Sequence, residues 1–436
     1  MGETGKAHAV VLGAGMAGLL TAGVLADSFG RVTVVDRDEL DGAVDVQPRR
    51  GVPQGRHAHA LLAGGLRVIE QLLPGATDDL VAGGAAVGDV LGDVRFCANG
   101  HPLKQAPTGL AALAVSRPYL ESYVRSRIAA LPAVTMRGGH DVVDIEVNDA
   151  RTRVVGARVQ RRVQGSEAES IAADLVVDAT GYGSRTPRRL AEWGYEAPAQ
   201  ERLVVDIGYA SRHYRLGRES LGGDLAIIIG PTRAHPRGGV IQVEEQGRAI
   251  VTLFGVLGDH PPLDDVGFEA FAATLPLPYL ADAIRGATAL DEAVLYRHPG
   301  STRLRYDRLR RFPGGLLVIG DALCSFNPMY GQGMTVAALE AAKARDGYAD
   351  APRFFRAVRP LVDAPWQVAT GGDLMFPAVQ GPRPPMVRLV NRYLSRLHAA
   401  AAHDAVLSEA FIRVTNLLAP PQSLLRPALA MRVLRG

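Results

Sequence analysis

The sequence predicts an α/β chain: a parallel sheet interrupted by an inserted, largely antiparallel β domain and followed by a helical C-terminal tail. Three observations predict it. An apolar run, Ala9-Val10-Val11-Leu12, leads into the glycine-rich stretch Gly13–Gly18. Four strand-like segments within 195–290 are separated by turn residues, the pattern of antiparallel pairing. The chain after 365 reads as mostly helical, broken at Pro377, Pro382, Pro384-Pro385 and Pro420-Pro421.

The first run reads as a buried strand. In Gly13-Ala14-Gly15-Met16-Ala17-Gly18, Gly13 permits a tight turn, Gly15 lets backbone approach a pyrophosphate, and Gly18 lets the following helix pack closely. The amides of Met16 and Ala17 then face phosphates with the helix's partial positive charge. A second strand, Val32–Val35, ends at Asp36, about 20 residues beyond the glycines, where a carboxylate bonds ribose hydroxyls. Arg37 lies beside it. This is a Rossmann-like unit.

Bulk properties bound the rest. The 436 residues allow two or three domains. With 47% hydrophobic and 21% charged residues, a large core forms and global disorder is excluded. Net charge is only +3, and no basic run with interleaved aromatics points to nucleic acid. Cys97 and Cys324 lie far apart without a CxxC, which fits a reducing cytoplasm. No run of about 18 apolar residues predicts a membrane span. The apolar start lacks a basic lead and is consumed by the first strand, so it does not read as a signal peptide.

The middle of the chain reads in order. Residues 76–110 are a glycine-rich excursion. A helix opens at Arg117-Pro118, with Ser116 as its cap. Strands follow near 140–147, 153–163 and 174–178, the last running into a glycine turn. Segments 203–210, 225–229, 239–243 and 248–256 form the antiparallel domain. Leu316–Ile319 is another buried strand, and Gly320-Asp321 sits at its carboxyl end, where open α/β sheets bind ligands. Then come Pro328, Gly331, Gln332 and Gly333, and a helix from about Met334 to 347. Its amides suit the anionic edge of a reduced isoalloxazine, and Asp321 suits a ribityl or ribose hydroxyl. Two glycine motifs some 300 residues apart, in this order, predict one FAD held by both.

The expected partition is 1–75, 111–190 and 291–364 for the FAD-binding domain, 76–110 and 191–290 for the substrate domain, and 365–436 for the helical tail.

With these motifs the chain resembles the FAD-dependent monooxygenases of the para-hydroxybenzoate hydroxylase fold. The middle motif of that family reads roughly D-G-x-x-S-x-x-R. Here it is Thr180-Gly181-Tyr182-Gly183-Ser184-Arg185, with Thr180 in place of the acid and the arginine, Arg188, one position late. The stretch Arg50-Gly51-Val52-Pro53-Gln54-Gly55-Arg56-His57-Ala58-His59, Arg117, and Phe326–Met334 are similar to olefin epoxidases of polyether pathways, of the lasalocid and monensin type. Trp366–Thr370 also resembles their tail. The likeness implies FAD contacts from Arg50, Gln54, His57 and Arg117. It implies a hydrophobic polyketide-like substrate, molecular oxygen, and an epoxidation or hydroxylation through a flavin C4a-hydroperoxide. The electron donor would be NAD(P)H or an external flavin reductase. No catalytic side chain is assigned, because the flavin carries the chemistry. A related branch uses FAD in a non-redox [4+2] cyclisation, and an isoprenoid-type flavin reductase is a further alternative. Flavin halogenases typically need a pocket lysine and a Trp-x-Trp-x-Ile-Pro segment; the only tryptophans are Trp193 and Trp366.

Tyr209, Phe254 and Ile228 are the candidate substrate contacts. His57 and His59, at i and i+2, would share one face of a strand; without a third ligand they are read as flavin neighbours, and no metal site is expected. Arg212, Arg215 and Arg218 read as solvated strand-end charges or a clamp for an acid. The chain is expected to be a monomer or homodimer.

Overall fold

The computed structural model describes residues 7–40 and 46–435. The chain begins with β1 (His8–Leu12), α1 (Met16–Leu25) and β2 (Arg31–Val35). Next come α2 (Ala63–Leu72), α3 (Ala76–Ala82), the short strands β3 (Ala86–Asp89), β4 (Val94–Ala98), β5 (His101–Pro102) and β6 (Ala111–Ala114), and α4 (Arg117–Ala129). β7 (Val134–Arg137), β8 (His140–Val147), β9 (Val154–Arg161), β10 (Ala168–Ala172), β11 (Leu175–Asp178) and α5 (Thr186–Glu192) follow. The next group is β12 (Gln200–Tyr214), β13 (Ala226–Ile229), β14 (Arg237–Glu244), β15 (Arg248–Gly255), α6 (Asp265–Ala273), α7 (Tyr279–Ile284) and β16 (Val294–Leu304). The chain ends with β17 (Leu316–Val318), β18 (Cys324–Ser325), α8 (Gly333–Gly347), α9 (Ala351–Asp373), α10 (Pro385–Ala401), α11 (Ala405–Thr415) and α12 (Pro427–Arg435).

The parallel sheet has the order β17-β11-β1-β2-β7. All five residues of β1 are buried because both sheet faces are covered. Ala9 and Val11 join a core with α1, α4 and α8, while Val10 and Leu12 join the antiparallel trio β8–β10 on the other face. As read from the sequence, Ser116 caps α4 by accepting from the Tyr119 amide.

The second sheet has eight strands in the order β18-β16-β12-β15-β14-β13-β4-β5. All its pairs are antiparallel except β13 with β4. One face is packed by Phe268 and Phe271 of α6 and Leu280 and Ile284 of α7. The opposite face, with Tyr209, Phe254 and Val240, turns toward the parallel sheet and toward Leu374 and Phe376 at the end of α9. Helices α10–α12 close over the 86–110 excursion through Leu397, Leu407, Ile412 and Val433. Among the described residues no helix is long and apolar enough to cross a membrane.

Three expectations differ. The segment 291–364 was expected in the first domain, but Val294–Leu304 is a strand of the eight-stranded sheet, paired with β12. Its Pro299-Gly300 obscured it, since proline and glycine argue against a strand interior. A bulge between Val204 and Ile207 accommodates them, and a Cβ on Gly300 would lie 2.1 Å from the Leu203 carbonyl oxygen. The 364/365 boundary falls inside α9, which continues through Pro360 and Pro365. Residues 57–60 are not a strand: they follow a single 3₁₀ turn, Pro53–Arg56, in extended irregular chain.

Candidate functional site

A cavity of about 740 Å³ runs between the two sheets. At one end it is floored by the β1–α1 turn. Gly13 has φ +104, and a Cβ there would lie 2.4 Å from the Ala179 carbonyl oxygen. A Cβ on Gly18 would lie 1.9 Å from the Gly13 carbonyl oxygen, so only glycine lets the helix meet the turn. Gly15, by contrast, faces open space, and with Met16 and Ala17 it lines the cavity. Their helix-first-turn amides lack intrahelical acceptors, as at any helix start.

Asp36 lines the same end. Its carboxylate accepts from the Ala14 amide at 2.6 Å and the Asp38 amide at 2.9 Å. Burial raises its pKa, and Arg49 opposes that rise. Arg49 was not singled out in the sequence, yet it fastens this end. Its guanidinium donates to the Ala14 carbonyl at 2.8 Å, contacts Asp36 at 3.3 Å, and pairs with Glu121. Glu121 also accepts from Arg117 Nε at 3.2 Å. Nothing in the sequence marks Arg49 apart from Arg50, which with Arg37 lines the cavity.

The middle motif gains its acid two positions early. Asp178, 1% exposed, accepts from the Thr180 amide at 3.0 Å and from the hydroxyls of Thr180 (2.6 Å), Ser184 (2.5 Å) and Thr186 (2.5 Å). It locks the loop that carries Gly181 and Gly183, where added Cβ atoms would meet open space. The signal was present: Asp178 ends the buried strand that precedes the motif.

The second motif lies beside the first: a Cβ on Gly320 would lie 2.7 Å from the Ala17 Cβ. Gly320, Asp321, Pro328, Gly331, Gly333 and Met334 line the cavity, and α8 starts there. Burial pushes Asp321 up to about 6, against the attraction of Arg117. Behind it, Glu340 of α8 is fully buried and accepts from the Gly320 amide at 2.6 Å. Burial, with Asp321 adding, pushes Glu340 up to about 8. A second buried acid, Asp373, ends α9. Its Oδ1 accepts from Asn327 Nδ2 at 2.9 Å and from the Tyr330 hydroxyl at 3.0 Å, and burial raises it to about 7. Asn327 Oδ1 in turn accepts from the Met329 amide at 3.1 Å and from the Tyr209 hydroxyl at 3.3 Å. The Gly320 turn is thus pinned from behind by α8, and the 326–334 loop by α9.

The third wall is the eight-stranded sheet with the 53–60 segment. Gln54, His57, His59, Tyr209, Tyr296 and His298 line it. His57 and His59 therefore face one cavity without belonging to a strand. Burial lowers His57 to about 4, His59 to about 3 and His298 to about 4, so all three are neutral imidazoles near pH 7. Tyr296 and His298 were missed because β16 was not read as part of this sheet. Of the expected substrate contacts only Tyr209 lines the cavity. Phe254 is its cross-strand partner but packs behind it, with ring centroids 5.7 Å apart. Ile228 lies on the remote strand β13, paired with Val240 and Phe96. Arg212 and Arg218 do not reach the cavity: Arg212 pairs with Asp265 at 2.7 Å, and Arg218 pairs with Asp93. Arg215 is exposed.

The residues fit an FAD. Two glycine-rich turns with helix N-termini line one slot, Asp36 and Asp321 line it with them, and open space lies where Gly15, Gly181 and Gly183 lack a Cβ.

The fold is shared with flavin-dependent enzymes. The flavin-dependent brominase Bmp2 superposes with TM-score 0.68 at 15% identity over 98% of both chains. The p-nitrophenol 4-monooxygenase PnpA of Pseudomonas putida DLL-E4 superposes with TM-score 0.62 at 16% identity over 94% of this chain and 98% of its own. No protein-family model matches the chain. Protein Rv3254 of Mycobacterium tuberculosis is 35% identical over 439 residues, spanning 95% of this chain and 90% of that protein. The chain belongs to the same family as that mycobacterial protein.

Proposed function

We propose that the chain is an FAD-dependent monooxygenase that adds one oxygen atom from O₂ to a hydrophobic small molecule, as an epoxidation or hydroxylation. The carrying observation is the continuity of the cavity, from Asp36 and Gly13–Ala17, past Gly320-Asp321 and Gly331–Met334, to the wall of the antiparallel sheet. We place the FAD-binding part in 7–75, 111–190 and 306–350, and the substrate part in 76–110 and 191–305.

Bound FAD, once reduced, would supply the activation of dioxygen. The chain's residues do the rest. Amides of Met16 and Ala17 hold the pyrophosphate, and Asp36 takes a ribose hydroxyl. Asp321 takes a hydroxyl of the ribityl or ribose chain. The start of α8 offers amides and the positive end of its dipole to the anionic edge of the ring. Arg117 stays beside this site, tethered by Glu121. The apolar packing behind Tyr209 excludes water from the ring's substrate side. We assign electron supply to NAD(P)H or a separate reductase and the setting to the cytoplasm, with the chain acting as a monomer or homodimer. A halogenase reading is not favoured by the lining, which contains no lysine.

The test is oxygen uptake by the FAD-loaded protein with NAD(P)H or a flavin reductase and candidate polyketide olefins and phenols. Product heavier by one oxygen atom, labelled from ¹⁸O₂, supports the proposal. Product of unchanged mass formed under anaerobic conditions replaces it with a non-redox cyclisation.

A further inference from the structure

Charge is unevenly placed along the chain. Residues 381–436 hold eight arginines, no lysine and two acids, so this stretch carries +6 while the rest of the chain carries −3. Both acids are engaged: Asp404 pairs with Arg432 at 2.7 Å, and Glu409 pairs with Arg413 at 2.7 Å. Arg383 donates to the carbonyls of Leu374, Phe376 and Val379. On α10, Arg388, Arg392 and Arg396 are exposed and have no hydrogen bond or ion pair among the described residues.

At i, i+4 and i+8 these three lie within an arc of roughly 80° and over about 12 Å of helix. Beside them near the start of α10, Met386 is 63% exposed and Leu389 is 61% exposed. The other side of the helix is buried, with Leu397, Ala400 and Ala401 packed among residues of α11 and α12. Its first turn also reaches the cavity wall, since Val387 packs against the cluster of Tyr209, Phe254 and Phe376. One helix thus presents a cationic, partly apolar face outward and rests on the sheet side of the cavity inward.

We propose that this face of α10 docks the protein on an anionic phospholipid surface, with Met386 and Leu389 among the headgroups and the three guanidiniums on lipid phosphates. Charge complementarity selects the partner. Arginines with no carboxylate of their own are drawn to anionic lipid, and exposed apolar side chains on the same side add burial that a purely electrostatic contact lacks. A protein partner would more typically meet an aromatic anchor. The exposed residues of α10 include no aromatic one. Two apolar side chains bury less than one acyl chain, so the contact is peripheral and reversible. It goes beyond the oxygenase reading and needs no flavin turnover, but it would bring the cavity wall to the phase in which hydrophobic small molecules dissolve.

The test is co-sedimentation of the full chain with vesicles of phosphatidylcholine alone and of phosphatidylcholine mixed equally with phosphatidylglycerol. Binding to the anionic vesicles should be at least about tenfold tighter and should fall steeply as salt is raised. Arg388→Gln, Arg392→Gln and Arg396→Gln combined should remove most of that preference. Arg158→Gln, Arg161→Gln and Arg215→Gln combined change net charge equally at exposed sites elsewhere, and should keep it. Met386→Ser with Leu389→Ser should weaken binding severalfold while leaving its salt dependence intact. Thermal melting of each variant checks the fold. Equal binding of the native protein to both vesicle types overturns the proposal, and this outcome needs no variant. So does equal loss in the two arginine triples. Sedimentation equilibrium without lipid supplies the remaining arm: a native dimer that the α10 triple dissociates would make this face a contact between two copies of the chain and overturn the lipid assignment.

Discussion

The two sides of the cavity are built from different materials. The floor, at Gly13–Gly18 and Gly331–Gly333, is made of backbone: amides, helix ends and absent side chains. The far wall is made of side chains drawn from 53–60, β12 and β16. A backbone floor constrains the sequence tightly, because a Cβ on Gly13 or Gly18 would collide with a carbonyl oxygen. A side-chain wall can be assembled from many residue types on any strand that reaches it, so it leaves no short signature.

The largest expected effect breaks the floor in two different ways. Gly13→Val forces a branched residue into φ +104 and into the Ala179 carbonyl, costing on the order of 3 kcal/mol or more. Both melting temperature and FAD content should fall steeply. In Gly15→Val the added Cβ meets no atom within 4 Å. This variant should melt as the cofactor-free native protein does, yet retain less than about one-tenth of the FAD. Measuring released FAD beside melting separates strain from lost space. If Gly15→Val keeps full FAD, the phosphate assignment is wrong.

A step smaller, Asp373→Ala strips Asn327 and Tyr330 of their shared acceptor beneath the loop that links floor and wall. The expected loss is about 3 kcal/mol in denaturant unfolding, with weaker FAD binding. A loss under about 0.5 kcal/mol would show that the loop holds itself.

Glu340 sharpens the comparison through pH. Its pKa rises from an ordinary 4.5 to about 8 in the fold, so between those values the folded chain holds a proton that the unfolded chain has released. Stability due to this group therefore falls as pH rises through that window and is level above about 8. Asp373, raised from 3.8 to about 7, contributes a fall that ends near 7. On the wall, His57 and His298 are lowered from 6.5 to about 4, so they resist charging while the unfolded chain charges, and their contribution is lost as pH drops from 6.5 toward 4. Floor acids and wall histidines thus pull in opposite directions: two against two, they offset one another between about pH 4.5 and 6.5, and the fall due to the acids emerges above pH 6.5. Glu340→Gln should remove about 2 kcal/mol of the decline between pH 6.5 and 8 and leave only the smaller fall due to Asp373, read as a reduced shift of the denaturant midpoint between the two pH values. A native protein whose stability rises over that window contradicts the buried neutral acid.

The smallest effect is Tyr330→Phe. It deletes one of two hydrogen bonds to Asp373 and should cost about 1 kcal/mol without changing FAD stoichiometry, by urea unfolding and released-flavin assay.

The same contrast explains what the sequence made legible. Every strand of the parallel sheet except the short β7 was readable, because burial on both faces leaves continuous apolar runs such as Ala9–Leu12. The glycines, Asp36 and the start of α8 were readable because backbone chemistry demands those residue types. β16 was not, because Pro299-Gly300 resembles a turn until its bulged partner β12 is in place. The interior of α9 was hidden by Pro360 and Pro365. Arg49, Glu340 and Asp373 look like ordinary surface charges in sequence; only the tertiary fold buries them and supplies their partners. Phe254 was placed on the correct face but in the layer behind Tyr209, a depth that alternation alone does not encode.

The central claim is that both glycine motifs hold a single FAD between the two sheets. The most direct measurement is a crystal structure of the chain after incubation with FAD, with the released cofactor counted from the same preparation. The account predicts one FAD per chain, with its pyrophosphate at Gly13–Ala17 and its isoalloxazine between Gly331–Met334 and Tyr296. A colourless protein that binds no added FAD, or a flavin seated away from residues 331–334, contradicts it.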